Sequence, residues 1–581
     1  MDASASNANN GPVSVSSFCH GRSFRLSACL RLPVLHSLIS QMYRLVSPLL
    51  MYWSTLATIA TNVQVTIPLT EPSGAAYLTP SLLSFSIEQD RWVDWAGIPK
   101  KNSFFYNTLD NLRQLTGEPP WIRIGADSED HTNFNPQVQY AETIFPPYTA
   151  NVPYPEASNI TVGNNFYQIV EHLPEDSHVM WGVNFRENNI TAAYLETQAI
   201  IKAFDSPTVK AAGISLDFLE IGNEADLYVK NGGRPNGWGV SQYVSEWTDF
   251  ATNLSAIIGS STNSRTKFIG GAFAYSSHNN PGLSPQTIFN AGILDSKAGS
   301  HIKVISQHHY SGSFCTGSGD LLQNLMTKST IRSNLSSFSP DIDATFEQGL
   351  EYILGETNSY SCHGAPGVSN TAGAALWALD YTLYASQIGI SRVHFHEGVG
   401  YKYNLIQPLT LNRSILDGSP LDSPLLPHVQ PAYYAAIIAA EAIGSSGSTG
   451  AIELSINNSR IAGYAFYEDD ILVRAVFINS QAFLASDTDR GCVHIDLNFD
   501  GSGFVPRTMS IKRLSIGHAD DVSGLTWGTQ SYETSDARPN GTEIVEKSLV
   551  SAGVVIKDTE VVLLNFDNHH KNSNQPCRLI T

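Results

Sequence analysis

The chain has 581 residues, which is too long for one ordinary domain and predicts two or three. Hydrophobic residues make up 42% of it and charged residues only 15%, so it can bury a sizeable core. Its 53 acidic and 34 basic side chains give a net charge of −19, which argues against nucleic acid and other polyanions as partners.

The first sixty residues predict export. Residues 1–41 are rich in Ser, Asn and Arg, and Met42 begins a short basic segment that an apolar run over 45–60 follows. This layout is typical of a secretory signal peptide over 42–60, with translation starting at Met42 and 1–41 as a non-structural extension. A type II membrane anchor over 45–60 is the alternative, although the run is short for a membrane span. We therefore expect a secreted protein with no stable membrane span after processing.

Acceptor sequences and cysteines agree with export. Seven Asn-x-Ser/Thr glycosylation sequences occur, at Asn159, Asn189, Asn253, Asn334, Asn412, Asn457 and Asn540. Without the leader, four cysteines remain: Cys315, Cys362, Cys492 and Cys577. An even number in an exported chain predicts two disulfides, and the spacing matches no zinc site.

Short apolar runs recur between about residue 80 and residue 400, with helix-like segments between them. Eight predicted buried strands lie at 82–87, 121–125, 179–185, 216–221, 268–272, 302–306, 352–355 and 393–395. Eight strand–helix units predict an α/β fold, the (β/α)8 TIM barrel, over 70–425. A doubly wound open sheet is the alternative, but no Gly-rich phosphate loop follows an early strand.

The pattern changes after residue 425. Strand-like segments at 461–466, 471–478, 493–497, 509–514 and 561–566 are separated by Gly, Asn and Asp, and no long helix is predicted there. This predicts an antiparallel β-sandwich domain over 426–581 that braces the barrel. The apolar run at 63–69 is a candidate strand to cross over and join the sandwich.

Barrel order also predicts the disulfides. Cys315 and Cys362 follow strands six and seven, which are neighbours, so their loops can meet at the C-terminal face of the barrel. We predict that these two cysteines pair there. Cys492 and Cys577 are then predicted to pair within the sandwich.

Two carboxylates follow buried strands of the predicted barrel. Glu224 ends a run after strand four, and Glu356 ends a similar run after strand seven. We expect these strands to face each other across the mouth, with the carboxyl groups about 5 Å apart. Either Glu alone would be interpreted as a surface residue at a strand exit. As a pair they are typical of retaining cleavage of a glycosidic bond, where one protonates the leaving oxygen and the other attacks the sugar.

The motifs around these carboxylates resemble those of glycoside hydrolase family 79, the β-glucuronidase and heparanase-like group. The resemblance covers residues 80–405 and rests on SFSIE at 84–88, IRIG at 122–125, EIGNE at 220–224, HHY at 308–310, GETNS at 355–359 and GYKY at 400–403. It implies a (β/α)8 barrel followed by a β-sandwich. It also implies that Glu224 is the general acid/base and Glu356 the nucleophile, with no cofactor and no metal.

These assignments suggest roles for neighbouring residues. Asn223 is a candidate to hydrogen-bond the sugar 2-hydroxyl. Arg123 and Tyr310 are candidate donors that keep Glu356 ionised, although Arg123 fits a structural ion pair equally well. Glu88 matches a family position that contacts sugar hydroxyls, and a solvated acidic side chain is the alternative.

Aromatic side chains in the loops after the strands are candidates to line a pocket. Tyr310, Tyr360, Tyr401 and Tyr403 can donate to a uronate carboxylate, with ordinary packing as the alternative for each. Lys402, between two of these tyrosines, adds an ammonium group.

Four histidines invite comparison with a metal site. They are His308, His309, His394 and His396. No further carboxylate at ligand spacing accompanies them, so hydrogen-bonded histidines at the barrel rim are expected instead.

The sequence as a whole predicts a secreted, retaining exo-β-glucuronidase acting on terminal glucuronic acid, with or without 4-O-methylation, in polysaccharide or proteoglycan glycans. Its expected partner is a carbohydrate substrate, with no obligate protein partner. An endo-acting, heparanase-like enzyme is one alternative, which the net charge of −19 disfavours. A neutral-sugar glycosidase of the same clan is another. A catalytically inactive glycan-binding wall protein is the third, and the presence of both carboxylates argues against it.

Overall fold

The computed structural model describes residues 61–260, 265–275 and 282–567. The predicted signal peptide over 42–60, the alternative membrane anchor, the extension 1–41 and Cys577 lie outside these residues. Within them, no helix combines the length and the apolar character needed to cross a bilayer.

Eight parallel strands close into a barrel, as predicted. In chain order they are β1 (Leu83–Glu88), β2 (Ile122–Gly125), β3 (His178–Val183), β4 (Ser215–Ile221), β5 (Lys267–Phe273), β6 (Ile302–Ser313), β7 (Glu351–Ser361) and β8 (Val393–Glu397). Pairing of β8 with β1 closes the ring. The carboxyl ends of all eight strands therefore meet at one face.

Helices cover the outside of the barrel. They span Trp92–Ala96, Ser103–Thr116, Asn164–Gln168, Ile190–Phe204, Pro207–Ala211, Val240–Ser260, Pro285–Asn290, Leu322–Met326, Lys328–Ser336, Ser339–Glu347, Ala372–Gln387 and Tyr433–Ile443. The helix Ser103–Thr116 shows how the sequence sets such limits. The side chain of Asn102 accepts hydrogen bonds from two backbone N–H groups of the first turn, and Gly117 ends the helix in the left-handed conformation.

The strands β6 and β7 run well past their predicted ends at 306 and 355. Gln307 of β6 lies opposite Leu354 of β7, whereas the next residue, His308, lies opposite Glu356. The pairing register therefore shifts by one residue between these two pairs. Gly355 is thus left out of the ladder as a bulge. A Cβ at Gly355 would lie 2.1 Å from the hydroxyl of Ser306, so a larger residue there would force that side chain to move. The expectation that Glu356 lies in a loop after strand seven is wrong, because this residue is part of β7.

The helix Tyr433–Ile443 was not predicted. It packs against the helices Ser103–Thr116 and Ala372–Gln387 on the outside of the barrel. All of its residues except Glu441 are buried. It therefore lacks the apolar stripe at helical spacing that marks a surface helix. The barrel layer extends to about residue 443 rather than 425.

Two packed sheets form the C-terminal part. The larger sheet has the strand order Ala76–Leu78, Thr449–Glu453, Ile461–Glu468, Ile471–Asn479, Glu560–Phe566, Thr508–Ser515 and Thr526–Trp527, with Glu546–Leu549 also paired to Thr508–Ser515. The smaller sheet has the order Thr61–Pro68, Cys492–Asp500 and Val554–Lys557. Apolar side chains of both sheets share one core. The strand Thr61–Pro68 pairs with Cys492–Asp500 in parallel, so this part is not wholly antiparallel.

Short strands lie in the segments around the mouth of the barrel. They are Thr132–Phe134, Ala141–Ile144, Asn159–Val162, Ile406–Gln407, Leu411–Arg413, Pro420–Leu425 and His428–Val429. The first three form a small sheet after β2. The excursion between β2 and β3 consequently builds one wall above the carboxyl ends of the strands.

Candidate active site

Two carboxylates and one imidazole meet at the mouth of the barrel. An oxygen of Glu224, an oxygen of Glu356 and a ring nitrogen of His308 all lie within 4.8 Å of one another. The strands β4 and β7 are three places apart in the ring of eight, one place short of diametrically opposite. The two side chains nevertheless approach, since both extend into the mouth.

Glu224 follows β4 and occupies the left-handed backbone region, with φ 48° and ψ 47°. This conformation is uncommon for a residue with a Cβ and is typical of functional sites. A hydrogen bond from its N–H to the carbonyl of Ala272, 2.8 Å long, stabilises the turn. The Nδ1 of His308 lies 3.0 Å from Oε1 of Glu224. The side chain is 23% exposed, so a ligand can reach its carboxyl group.

The surroundings of Glu224 favour its protonated form. Burial and then the nearby charge of Glu356 raise the pKa of Glu224 to about 8. His308 adds little opposing charge, because burial lowers the pKa of this imidazole to about 4. Glu224 therefore carries a proton at neutral pH and can donate it.

The surroundings of Glu356 favour its ionised form. Tyr310 donates its hydroxyl to Oε1 at 2.8 Å, and Nη1 of Arg123 donates to Oε2 at 2.9 Å. Burial alone would raise the pKa of Glu356, but His396, His308, Arg123 and the Tyr310 hydroxyl hold it well below its usual range. Among these groups His308 is neutral at neutral pH, whereas Arg123 carries a permanent charge and Tyr310 donates directly to the carboxylate.

Arg123 has no exposed surface and connects four groups. Its guanidinium donates to Glu220 at 2.8 and 2.5 Å, to the hydroxyl of Ser86 at 2.9 Å and to Oδ1 of Asn223 at 2.8 Å, besides Glu356. The two interpretations of Arg123 are thus both realised, an ion pair with Glu220 and a donor to Glu356. Because Arg123 donates to the oxygen of the Asn223 amide, the amide nitrogen is available to donate to another group.

Glu88 is buried, so the alternative of a solvated side chain is wrong. It accepts hydrogen bonds from the N–H and hydroxyl of Ser128 at 3.1 and 2.5 Å, and Nε2 of His396 lies 3.1 Å away. Burial, followed by the charges of Glu156 and Glu356, raises the pKa of Glu88 well above its usual range. The other nitrogen of His396 lies 3.9 Å from Glu356, which connects Glu88 to the two carboxyl groups at the mouth.

The four candidate tyrosines make different contacts. Tyr310 contacts Glu356 directly, and the Tyr403 hydroxyl is hydrogen-bonded to Tyr310. Tyr401 stacks on His363 with ring centroids 3.8 Å apart, and it lies 6.0 Å from the ring of His396.

Tyr360 and Lys402 are directed elsewhere. The ring of Tyr360 lies against Gly312, in the region of the disulfide that joins the loops after β6 and β7. Lys402 donates to the carbonyl of Asn151 at 3.0 Å, and burial lowers its pKa to about 8. Neither side chain contacts Glu224 or Glu356 in the part of the chain that the structure describes.

The remaining two histidines lie within β6 and β8 and are hydrogen-bonded. The Nδ1 of His309 lies 2.7 Å from the hydroxyl of Tyr381, and that of His394 lies 3.2 Å from the carbonyl of Leu354. Glu224, His308 and Glu356 together offer three atoms that could bind a cation. However, Arg123 already supplies a positive charge to Glu356, so this set fits a carboxylate pair better than a metal centre.

Two further carboxyl groups near the site, those of Glu156 and Glu129, were not predicted. Glu156 Oε1 lies 2.5 Å from Nε2 of His363, and although burial opposes it, His363 lowers the pKa of Glu156 to about 2. Glu129 lies 3.8 Å from Arg123, and neither of its carboxyl oxygens has a hydrogen-bond partner among the described residues. Burial raises the pKa of Glu129 well above its usual range. Both residues come from irregular segments between β2 and β3, where no periodicity marks them.

One disulfide braces the mouth. Cys315 and Cys362 are joined as predicted, with Cα atoms 5.1 Å apart. Cys492 forms no disulfide within the described residues. Its predicted partner Cys577 lies outside them, so that pairing stays a prediction.

Known proteins resemble this chain over most of its length. Residues 463–563 match the family model of the glycosyl hydrolase family 79 C-terminal beta domain. The β-glucuronidase of Neurospora crassa is 26% identical over 528 residues, which cover 84% of this chain and 91% of that protein. The β-glucuronidase of Aspergillus niger is 27% identical over 481 residues, with 79% and 84% covered.

A solved structure shares the fold. The 4-O-α-L-rhamnosyl-β-D-glucuronidase from Fusarium oxysporum 12S superposes with a TM-score of 0.69 at 22% identity, and the match covers 87% of this chain and 100% of that one. The barrel and the C-terminal sheets therefore recur together in another protein.

Proposed function

Because the chain belongs to glycoside hydrolase family 79, we propose that it is a β-glucuronidase that hydrolyses glucuronides with retention of configuration. One observation carries this proposal. Two carboxyl groups have oxygens within 4.8 Å of each other, and their pKa values are shifted in opposite directions. Retaining enzymes place their carboxyl groups about 5–5.5 Å apart, whereas inverting enzymes need about 6.5–9.5 Å to admit water.

In the first step Glu356 attacks the anomeric carbon of the glucuronic acid. The bond from this carbon to the glycosidic oxygen breaks as Glu224 gives its proton to that oxygen, and an ester between Glu356 and the sugar forms. Arg123 and Tyr310 keep the attacking carboxylate ionised and oriented. The amide nitrogen of Asn223 is directed at the 2-hydroxyl, where a hydrogen bond strengthens as positive charge develops on the ring.

In the second step water replaces Glu356. Glu224, now ionised, takes a proton from a water molecule whose oxygen attacks the anomeric carbon. The ester bond breaks, Glu356 regains its charge and glucuronic acid leaves with its original configuration. Glu224 thereby recovers its proton for the next cycle.

The sugar carboxylate needs donors, because a buried unpaired charge is costly. Tyr401 is the best candidate, since its hydroxyl makes no hydrogen bond within the described residues, whereas the Tyr403 hydroxyl is bonded to Tyr310. Burial raises the pKa of Tyr401 well above its usual range, so its hydroxyl keeps its proton. Lys402 donates to the carbonyl of Asn151 and Tyr360 lies against Gly312, so we assign neither as a donor to the sugar carboxylate.

Hydrolysis of 4-nitrophenyl β-glucuronide beside 4-nitrophenyl β-glucoside tests the proposal. We expect clear preference for the glucuronide over the glucoside. NMR of the reaction should show that the β-anomer of glucuronic acid is released first. Equal rates on the two substrates would instead support a neutral-sugar glycosidase. Absence of hydrolysis of both would support a glycan-binding protein.

We also propose that the protein is secreted and glycosylated. The disulfide between Cys315 and Cys362 is typical of an oxidising compartment. Six of the seven acceptor asparagines are exposed, and Asn334 is half-buried. N-terminal sequencing of protein from the culture medium should begin near residue 61, and a start within residues 1–50 would contradict cleavage of the signal peptide.

A further inference from the structure

Glu129 is a buried carboxyl group that the reaction described above does not use. It has no exposed surface, and neither of its oxygens has a hydrogen-bond partner among the described residues. Nη2 of Arg123 lies 3.8 Å from its Oε2, which is too far for a hydrogen bond. A buried carboxylate without a donor is costly, so the protonation state of Glu129 needs a physical explanation.

Two adjacent glycines make room for Glu129 inside the barrel. Gly125 of β2 and Gly182 of β3 are neighbours, and a Cβ at Gly125 would lie 3.6 Å from the Cα of Gly182. A Cβ at either glycine would collide with Oε2 of Glu129. The carboxyl group of Glu129 therefore occupies the space that two side chains of this layer of the barrel would otherwise fill.

This space lies beside Glu220. In the pairing of β3 with β4, Gly182 lies opposite Glu220, so the side-chain positions of these two residues point to the same side of the sheet. Nη2 of Arg123 lies 2.5 Å from Oε1 of Glu220, so the carboxyl groups of Glu220 and Glu129 adjoin one guanidinium nitrogen. Oε2 of Glu220 also has no hydrogen-bond partner in the described part of the chain. Two neighbouring carboxyl groups thus present oxygens that no donor reaches.

Arg123 cannot supply the missing donor. A guanidinium has five N–H groups, and here every one is engaged. Two of them donate to Glu220, and one each to Asn223, Ser86 and Glu356. A hydrogen bond to a further carboxylate would have to be taken from one of these acceptors. The bond to Glu356 is the one that matters for catalysis, because it keeps the nucleophile ionised.

The charges around Glu129 disfavour a second negative charge. Burial, followed by the charge of Glu220, raises the pKa of Glu129 well above its usual range, and the charges of Asp130 and Glu196 act in the same direction. Arg123 is the only positive charge among these groups. A proton on Glu129 removes the repulsion and also gives the carboxyl pair an O–H donor.

We propose that Glu129 is a positioning residue that keeps a proton and shares it with Oε2 of Glu220. The two carboxyl groups then carry one negative charge between them, which Arg123 neutralises through its two hydrogen bonds to Glu220. Nη1 of Arg123 stays with Glu356, the nucleophile of the proposed mechanism. This catalytic consequence rests on the proposed glucuronidase function, whereas the shared proton is a property of the folded chain alone.

Infrared spectroscopy of Glu129→Gln tests the shared proton without any turnover. Gln has nearly the shape of a protonated Glu and offers an N–H donor in place of the O–H. The difference spectrum between the wild type and Glu129→Gln at neutral pH should show the C=O stretch of a carboxylic acid, which shifts in D2O. Loss of a carboxylate band instead would show that Glu129 is ionised and would overturn the proposal.

Kinetics of two variants test the effect on Arg123 and Glu356. On 4-nitrophenyl β-glucuronide, Glu129→Gln should keep kcat within about 3-fold of the wild type, because its amide still donates to Glu220. Glu129→Leu removes this donor, so Glu220 should compete more strongly for Arg123 and Glu356 should lose support. We expect kcat to fall about 10-fold with KM little changed, and the acid limb of the pH profile to move to higher pH. The same kcat and acid limb in both variants would leave Glu129 a packing role and contradict the proposal.

Glu196→Leu is the matched control. Glu196 is also a buried carboxyl group, but it accepts from the hydroxyl of Tyr167 at 3.2 Å and from the N–H of Asn184 at 3.4 Å. Its replacement should lower the unfolding temperature and leave the acid limb in place. An acid limb that moves equally in Glu196→Leu would overturn the positioning role of Glu129. If the wild type does not hydrolyse the glucuronide, the proposed function fails, and the infrared result still decides the shared proton.

Discussion

Glu224 and Glu356 are the same side chain in two different surroundings. Glu224 stands at a strained turn after β4, partly exposed, with a neutral imidazole as its hydrogen-bonding neighbour. Glu356 lies inside β7, with a guanidinium on one oxygen and a phenol on the other. The comparison shows that burial raises a carboxyl pKa unless fixed donors compensate for it, and the site places its donors beside Glu356.

The largest expected effect on activity comes from removing Glu356, the carboxylate that Arg123 and Tyr310 hold. Glu356→Ala should lower kcat on 4-nitrophenyl β-glucuronide by at least about 10⁴-fold, because no glycosyl ester can form. Added azide should restore turnover and give the α-glucuronosyl azide, which NMR identifies. Glu351→Ala, at an exposed Glu of the same strand, is the matched control and should keep normal activity. Near-normal rates in Glu356→Ala would show that another group is the nucleophile.

Removing the proton donor should give a smaller and more selective loss. Glu224→Gln should slow substrates with a sugar leaving group by roughly 10²–10⁴-fold, because only a poor leaving group needs the proton. The first step on an aryl glucuronide with an acidic phenol should change far less. Rates on a series of leaving groups measure this difference. Equal losses across the series would argue against Glu224 as the acid.

Removing a hydrogen-bond donor to Glu356 should bring the pKa of Glu356 closer to that of Glu224. Tyr310→Phe removes one donor, so the pKa of Glu356 should rise and kcat should fall by about 10–150-fold. Activity requires ionised Glu356, so the acid limb of the pH profile should move to higher pH. Tyr384→Phe, at a tyrosine on an outer helix, is the control. An unmoved acid limb in Tyr310→Phe would contradict the role of Tyr310 in keeping Glu356 ionised.

The smallest expected change concerns selectivity. Tyr401→Phe should narrow the preference for glucuronide over glucoside by roughly 10-fold, because the sugar carboxylate loses a donor. Paired kcat/KM measurements on the two nitrophenyl glycosides give this ratio. Tyr403→Phe serves as a comparison, since the hydroxyl of Tyr403 is already bonded to Tyr310. Parallel losses on both substrates in Tyr401→Phe would move carboxylate recognition to another group.

Sequence reasoning found the carboxylates because each ends an apolar run, a pattern that buried parallel strands impose. It could not place Glu356 within its strand, because a bulge at Gly355 shifts the register there and leaves no periodic signal. The helix Tyr433–Ile443 was not predicted for a related reason. Its residues are buried almost all round, so no amphipathic stripe identifies it.

The direction of individual side chains could not be predicted from the sequence either. Lys402 lies in the expected loop and Tyr360 lies inside β7, yet Tyr360 packs on Gly312 and Lys402 donates to the carbonyl of Asn151. Neighbouring loops bring backbones together without fixing where each side chain extends. Glu129 and Glu156 reach the site from an excursion between β2 and β3, so only the folded chain reveals them.

The pH dependence of kcat/KM tests most directly whether the two carboxyl groups hold opposite protonation states. The acid must be protonated, so activity should fall as pH rises through the pKa of Glu224, which its surroundings raise to about 8. The nucleophile must be ionised, so activity should persist down through the usual range of carboxyl pKa values before it falls. In Glu224→Gln, assayed with an acidic phenol as leaving group, the basic limb should disappear while the acid limb stays. A basic limb that persists in this variant would contradict the assignment of Glu224 as the protonated member of the pair.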